Sequence, residues 1–262
     1  MRKTVRTLGA IAACLLTAGA ARAAPPPQTL REQRTVAALA ARGLPVFCAG
    51  GRRREVALTF DDGPAAYTRE LVAELRREGV KATFFEIGAQ ASGDPAATRL
   101  EGGVGVVGEH TETHATLTQE TAQAAAWEIT TGQHSVERAL GRPVTLFRPP
   151  GDHRNSKIDR LVARQGLLSV GYTVDPHDWA LHSTLAVIDA VESDPRLVPG
   201  AIVLLHENHT TTVDAVPAIV GYLRARGLTP VTVPKLLADS PPTLRDQQDD
   251  LQAGSCVHLF TP

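Results

Sequence analysis

The chain has 262 residues, of which 43% are hydrophobic, 21% charged and 4% aromatic, with 27 Lys and Arg against 28 Asp and Glu. That balance supplies a sizeable core built mainly from Val, Leu, Ile and Ala, and it excludes a low-complexity or disordered polypeptide. A formal charge of −1 gives no general attraction to nucleic acid or anionic lipid, so a neutral partner fits better.

The chain opens with a basic start, "MRKTVR", an apolar stretch, "LGAIAACLLTAGA", and the small residues "ARA". This layout predicts a secretory signal peptide over 1–23, cleaved after Ala23 or Ala20, and hence a secreted or periplasmic protein. The apolar stretch is too short to span a bilayer as a helix, and no later segment is predicted to span one. A lipoprotein anchor at Cys14 is the rival reading. It is disfavoured because too little apolar sequence precedes Cys14 and too much follows. Removing 1–23 takes away four basic side chains and no acid, which moves the formal charge from −1 to −5.

Residues 24–51 read as a linker, "APPPQ", and a short amphipathic helix, "TLREQRTVAALAARG", closed by Gly43. Of the two cysteines beyond the signal, Cys48 precedes the first core strand and Cys256 lies near the C-terminus. In an exported chain this pair predicts a disulfide tying the tail to the barrel.

From 52 to 238 the chain alternates. "EVALTF", "ATFFEIG", "VGVVGEH", "VTLFR", "LLSVGYTV", "AIVLLH" and "TPVTV" are apolar runs of strand length. Between them lie helical patterns such as "TRELVAELRREG" and "SKIDRLVARQG"; "AQASGDPAATRLEGG" is the weakest of these and is expected to be partly loop. Strand–helix alternation with nearly continuous apolar strands predicts an α/β fold with a parallel sheet covered on both faces. About seven parallel strands fit a distorted (β/α) barrel better than an open doubly wound sheet. Residues 239–262 are expected to form an irregular tail against the surface.

The positions of the reactive side chains support the barrel. Asp61 and Asp62 follow the first strand, and His110 and His114 the third. Arg148 ends the fourth, Asp175 and Asp178 follow the fifth, and His206 ends the sixth. Barrel enzymes assemble their active sites at C-terminal strand ends, whereas an open sheet binds ligands only near a switch point.

Adjacent Asp61 and Asp62 repel one another, and a divalent cation would offset the repulsion. His110 and His114, four apart in "HTETH", would point the same way on one helical turn, and two histidines with one carboxylate leave positions open for water. Taken alone, the histidine pair reads equally well as a surface feature, and "DDGP" as a solvated turn.

In order and spacing, "TFDDGP", "HTETH", "FRPPG", "DPHDW" and "IVLLH" resemble the five motifs of the polysaccharide deacetylase family, the NodB-homology proteins of carbohydrate esterase family 4. The resemblance covers roughly residues 52–238. It implies metal-dependent hydrolysis of N- or O-acetyl groups on a sugar polymer, most often with Zn²⁺ and with Co²⁺ or Mn²⁺ as alternatives. By the same resemblance Asp61 is the general base, and Asp62, His110 and His114 hold the metal. Arg148 holds the base, His206 is the general acid, and Asp178 orients it. Trp179, Pro149 and Pro150 bound the substrate site, and the backbone N–H of Gly151 serves the oxyanion. Many relatives carry an aromatic residue where this chain has Gly151, which removes a groove wall but not a backbone amide. The leading expectation is an exported deacetylase of N-acetylglucosamine polymers, peptidoglycan or chitin, acting as a monomer. O-acetyl xylan esterase activity and a non-catalytic carbohydrate-binding relative are the alternatives.

Overall fold

A computed structural model describes residues 28–260, so the predicted signal peptide and the first residues of the linker lie outside the described residues. In chain order the elements begin with α1 (Leu30–Ala40), β1 (Glu55–Gly63), α2 (Thr68–Glu78) and β2 (Ala82–Glu86). They continue with α3 (Gly88–Gly93), α4 (Pro95–Gly102), β3 (Gly105–Glu109), α5 (Ala122–Leu140), β4 (Leu146–Phe147) and α6 (Ser156–Arg164). The remainder is β5 (Leu168–Ser169), α7 (Thr184–Glu192), β6 (Ile202–His206), α8 (Thr210–Ala225), β7 (Thr229–Val231), α9 (Val233–Asp239) and α10 (Leu244–Ala253).

All seven strands are parallel, in the order β5-β4-β3-β2-β1-β6, with β7 paired to the first residues of β1. The ring closes through residues beyond β5, because Thr173 and Val174 donate to the carbonyl of Ile202 and Leu204 donates back to Val174. This is the expected distorted (β/α) barrel. Strand periodicity sorts its two layers. Val56, Leu58 and Phe60 of β1 join the outer core under the helices. Ala57 joins the inner core, and Thr59 and Asp61, two and four residues on, share its phase.

The inner core is closed at the N-terminal ends of the strands. Val36 and Leu39 of α1 pack with Val233, Leu236 and Leu237 of α9 against Ala57, Ile202 and Val231. Val46 bridges Val170 and Cys48 bridges Ala201, so the segment before β1 is built into the barrel rather than attached to it. The polar side chains gather around a cavity at the other end.

Three local expectations are corrected. The tail is not irregular, since it carries α10, capped by Thr243 with Asp246 in a reciprocal capping box and ended by Gly254 at φ 68°. Its buried positions, Gln247 and Asp250, are polar, so the helix has no apolar stripe to reveal it. "AQASGDPAATRLEGG" forms two short helices split at Asp94, which caps α4 through Ala97 N–H. The His110–His114 stretch is a loop, with Thr111 at φ 67° and His114 at φ 61°.

The tail is tied down as expected. Cys48 and Cys256 form a disulfide with Cα atoms 5.8 Å apart. Asp250 and His258 converge on the same bridge, with His258 Nδ1 2.9 Å from Asp250 Oδ2 and the Asp250 carboxylate accepting from Val257 N–H at 2.8 Å.

Candidate active site

A cavity of about 350 Å³ opens at the C-terminal ends of the strands. Asp61, Asp62, His110, His114, Arg148, Pro149, Gly151, Trp179 and His206 line it. Five separate segments of the chain therefore meet in one place.

Asp61 is 3% exposed. Arg148 Nη1 donates to Asp61 Oδ1 at 2.7 Å and to Thr59 Oγ1 at 2.7 Å. Its Nε and Nη2 donate to the carbonyls of Val170 and Gly171, and the guanidinium lies 4.2 Å above the Phe85 ring. With every nitrogen of its guanidinium bonded, Arg148 is held in place although buried. Burial raises the Asp61 carboxyl above its ordinary range, and the Arg148 cation opposes that rise. The result is a buried carboxylate with one oxygen fixed; the other, Oδ2, lies 3.7 Å from His110 Nε2.

Across the cavity, His206 Nδ1 donates to Asp178 Oδ1 at 2.7 Å. Asp178 is fully buried and also accepts from the His206 backbone N–H at 2.8 Å and from Thr212 Oγ1 at 2.7 Å. Burial lowers the His206 pKa, but the hydrogen bond and charge of Asp178, with Asp61 and Asp62 beyond, outweigh it and push the imidazole up to about 9. Burial likewise opposes ionisation of Asp178, yet its bonds to His206 and Thr212 hold it below its usual value. At neutral pH this is an imidazolium whose Nε2–H is the proton available to the cavity.

Asp62, His110 and His114 bring one donor atom each within 4.8 Å of one another. Asp62 Oδ1 is 3.7 Å from His110 Nε2 and 3.3 Å from His114 Nε2. Donors about 2.0–2.2 Å from a shared ion would sit about 3–3.5 Å apart, so the spacing suits a small divalent cation. Asp62 Oδ1 is moreover buried without a hydrogen-bond partner, as a ligand atom should be. His110 donates from Nδ1 to the Arg148 carbonyl at 2.7 Å, which fixes the tautomer and leaves the Nε2 lone pair facing Asp62. Burial, reinforced by the charges of His114 and Arg148 against the opposing Asp62, lowers the pKa of His110 to about 3. The ring is therefore neutral, as ligation demands. The residues fit a metal.

Pro149 and Gly151 line the cavity, but Pro150 is buried and is not part of the lining. The turn Pro150–Asp152 accounts for this, since consecutive residues on such a tight turn face different directions. Gly151 has φ 59°, and a Cβ there would come within 2.9 Å of the His153 ring. The imidazole of His153 thus lies against the glycine that replaces the usual aromatic residue. Trp179 is 54% exposed and contacts His177.

Sequence reading missed Thr59, Thr212, Tyr172, Asp152 and Leu204. Two of these carried a signal. Thr59 lies two residues before Asp61 and Leu204 two before His206, the spacing that puts strand side chains on one face. Tyr172, whose phenol burial pushes up to about 12, and Asp152 come from irregular segments with no periodicity to place them.

A polysaccharide deacetylase profile matches residues 49–170. The chain is 31% identical over 188 residues to the peptidoglycan-N-acetylglucosamine deacetylase PgdA of Listeria monocytogenes, covering 71% of this chain and 39% of that protein. It is 32% identical over 189 residues to the chitooligosaccharide deacetylase of Azorhizobium caulinodans, covering 65% of this chain and 88% of that one. The solved structure of a family 4 carbohydrate esterase from Streptomyces lividans in complex with acetate superposes with a TM-score of 0.64 at 35% identity, over 67% of this chain and 91% of that chain. The chain thus spans about two fifths of the Listeria protein but most of the other two. On these matches and its barrel, the chain belongs to the polysaccharide deacetylase family.

Proposed function

We propose that the chain is an exported, metal-dependent deacetylase that hydrolyses N-acetyl groups of N-acetylglucosamine polymers, peptidoglycan or chitin, and releases acetate. The observation that carries this reading is the pairing of a buried, cation-held carboxylate, Asp61–Arg148, with a protonated imidazole, Asp178–His206, in one cavity. A carboxylate with one oxygen held by a cation, facing an imidazole that a second carboxylate keeps protonated, is an arrangement suited to a base and an acid. Export rests on the N-terminal pattern of basic, apolar and small residues. Among the described residues no helix is long and apolar enough to cross a membrane.

Asp62, His110 and His114 would hold the cation, with Zn²⁺ suited to two imidazoles and a carboxylate. When bound, such an ion polarises the acetyl carbonyl and acidifies water at the site. The other steps belong to side chains. Asp61 takes a proton from the attacking water as its oxygen bonds to the acetyl carbon. The backbone N–H of Gly151 donates to the oxygen that becomes negative. Breaking the carbon–nitrogen bond transfers the His206 proton to the departing amine, and Asp178 stabilises the imidazolium beforehand. Trp179 and Leu204 provide an apolar wall for the acetyl methyl.

The acid must be protonated, so activity should fall as pH rises through about 9, the value to which His206 is pushed. Asp178→Asn removes the charge that holds the proton, and the alkaline limb should then move to lower pH. An unshifted limb in the Asp178→Asn enzyme would separate His206 from the acid role.

Cleavage of O-acetyl groups on xylan is the second reading, because the same base, acid and ion serve an alcohol leaving group. Acetate release measured side by side on chitin oligosaccharides, peptidoglycan and acetylated xylan decides between them. Release from xylan alone would overturn the N-acetyl reading, and release from none would favour a carbohydrate-binding protein.

A further inference from the structure

His114 is the least supported of the three proposed ligands. Its side chain is 44% exposed, and it meets the His110 ring edge-on at 5.0 Å and Asp62 Oδ1 at 3.3 Å. With so little packing, the imidazole goes where its backbone sends it. That backbone is unfavourable, since Thr111 and His114 both occupy the left-handed region without being glycine. Such conformations persist only where the surroundings over-determine them.

Gly88 and Ala89 N–H groups hold the Thr111 and Glu112 carbonyls at 2.9 Å each, and Thr111 Oγ1 accepts from Ala115 N–H at 3.3 Å. Two carboxylates supply the rest of that restraint. Glu109 Oε2 accepts from Thr111 N–H at 2.7 Å. Glu128, on the second turn of α5 and 7% exposed, uses both oxygens on one residue. Its Oε2 accepts from Thr113 N–H at 2.9 Å and its Oε1 from Thr113 Oγ1 at 2.7 Å. Its backbone carbonyl accepts from Glu112 N–H at 3.1 Å. One turn later a Cβ on Gly132 would lie 2.7 Å from the Thr111 carbonyl carbon and 2.8 Å from Glu112 N. The helix is therefore pressed against the loop over two turns, and Thr113 immediately precedes His114. Thr113 itself is exposed, so water could serve its donors, and only the carboxylate gives them a fixed direction.

We propose that Glu128, which lies outside the cavity lining, is a positioning residue that presents His114 to the cation; this rests on the metal reading above. Without it Asp62 and His110 keep their places, His110 through its bond to the Arg148 carbonyl, while the third donor loses its fixed position. Comparable supports of metal ligands change affinity by about 10–100-fold.

Zn²⁺ is titrated calorimetrically into the metal-free full chain and into Glu128→Gln, Glu128→Ala and Thr113→Val. Wild type should take one ion per chain. The Gln variant, whose amide can accept from only one Thr113 donor, should bind about 10-fold more weakly and the Ala variant up to about 100-fold more weakly. Thr113→Val keeps the backbone donor and should lose less. Combined with Glu128→Gln, it should add less than its separate effect, because both changes break one clamp. The metal-free Tm of Glu128→Gln should match wild type, and acetate release should recover at saturating Zn²⁺. No ion bound by wild type would sink the metal reading itself. If wild type binds and Glu128→Gln binds equally well, or if its metal-free Tm falls along with its affinity, the positioning role is overturned. Should Glu128→Ala fail to fold, the Gln and Val variants carry the test.

Discussion

Asp61→Asn is expected to keep its bound ion and to lose acetate release by about 10²–10⁴-fold, the usual contribution of a positioned general base. The substitution preserves shape. Arg148 Nη1 donates to Asp61 Oδ1 at 2.7 Å, so the asparagine amide will turn its oxygen to the guanidinium. Its NH₂ then occupies the place of Oδ2, where the mechanism needs an acceptor, and a donor cannot take a proton from water. Arg148 keeps Thr59 Oγ1 and the carbonyls of Val170 and Gly171, so the barrel interior should survive the lost carboxylate. Parallel measurements of zinc content and acetate release separate the outcomes. Undiminished activity would remove Asp61 from the base role. Loss of zinc along with activity would move Asp61 into the ligand set.

Chelation is the second large effect. Metal-free protein should release acetate only at background, and one equivalent of Zn²⁺ should restore it. The donor set explains why: without an ion, two imidazoles and an unpartnered Asp62 oxygen face one another with nothing to activate the carbonyl or water, and Asp61 alone is too weak a base for a free water. An ion that binds the folded state alone also stabilises it, by about 2.7 kcal/mol at a hundredfold excess over Kd. Readdition should therefore raise Tm together with activity. Activity indifferent to a strong chelator would refute the metal mechanism, and a rise in Tm without activity would indicate a binding protein that kept its site and lost its chemistry.

The barrel was legible because its strands are buried on both faces and read as apolar runs. The inward phase of β1 could be followed from Ala57 through Thr59 to Asp61. Most of the site was legible for a related reason, since charged groups at the ends of apolar strands stand out against their surroundings. What stayed hidden depends on contacts distant in sequence. The His110–His114 loop is held by Glu109, by Glu128 of α5 and by the first residues of α3, contacts mostly distant in sequence that the four-residue spacing could not show. The tail helix α10 buries Gln247 and Asp250, which bond to Arg42 and His258, and polar burial leaves no periodicity to read. The N-terminal amphipathic helix was legible and stands as α1, but its docking on α9 and the bridge from Val46 to Val170 join segments distant in sequence.

The most direct test of the central claim is the release of acetate from an N-acetylglucosamine oligomer by the folded chain, followed through removal and stoichiometric return of Zn²⁺. The account predicts release that vanishes with the ion, returns with one equivalent, and stays about 10²–10⁴-fold lower in zinc-loaded Asp61→Asn. Release that persists without metal, or none from zinc-loaded wild type on any of the three acetylated polymers, would contradict it.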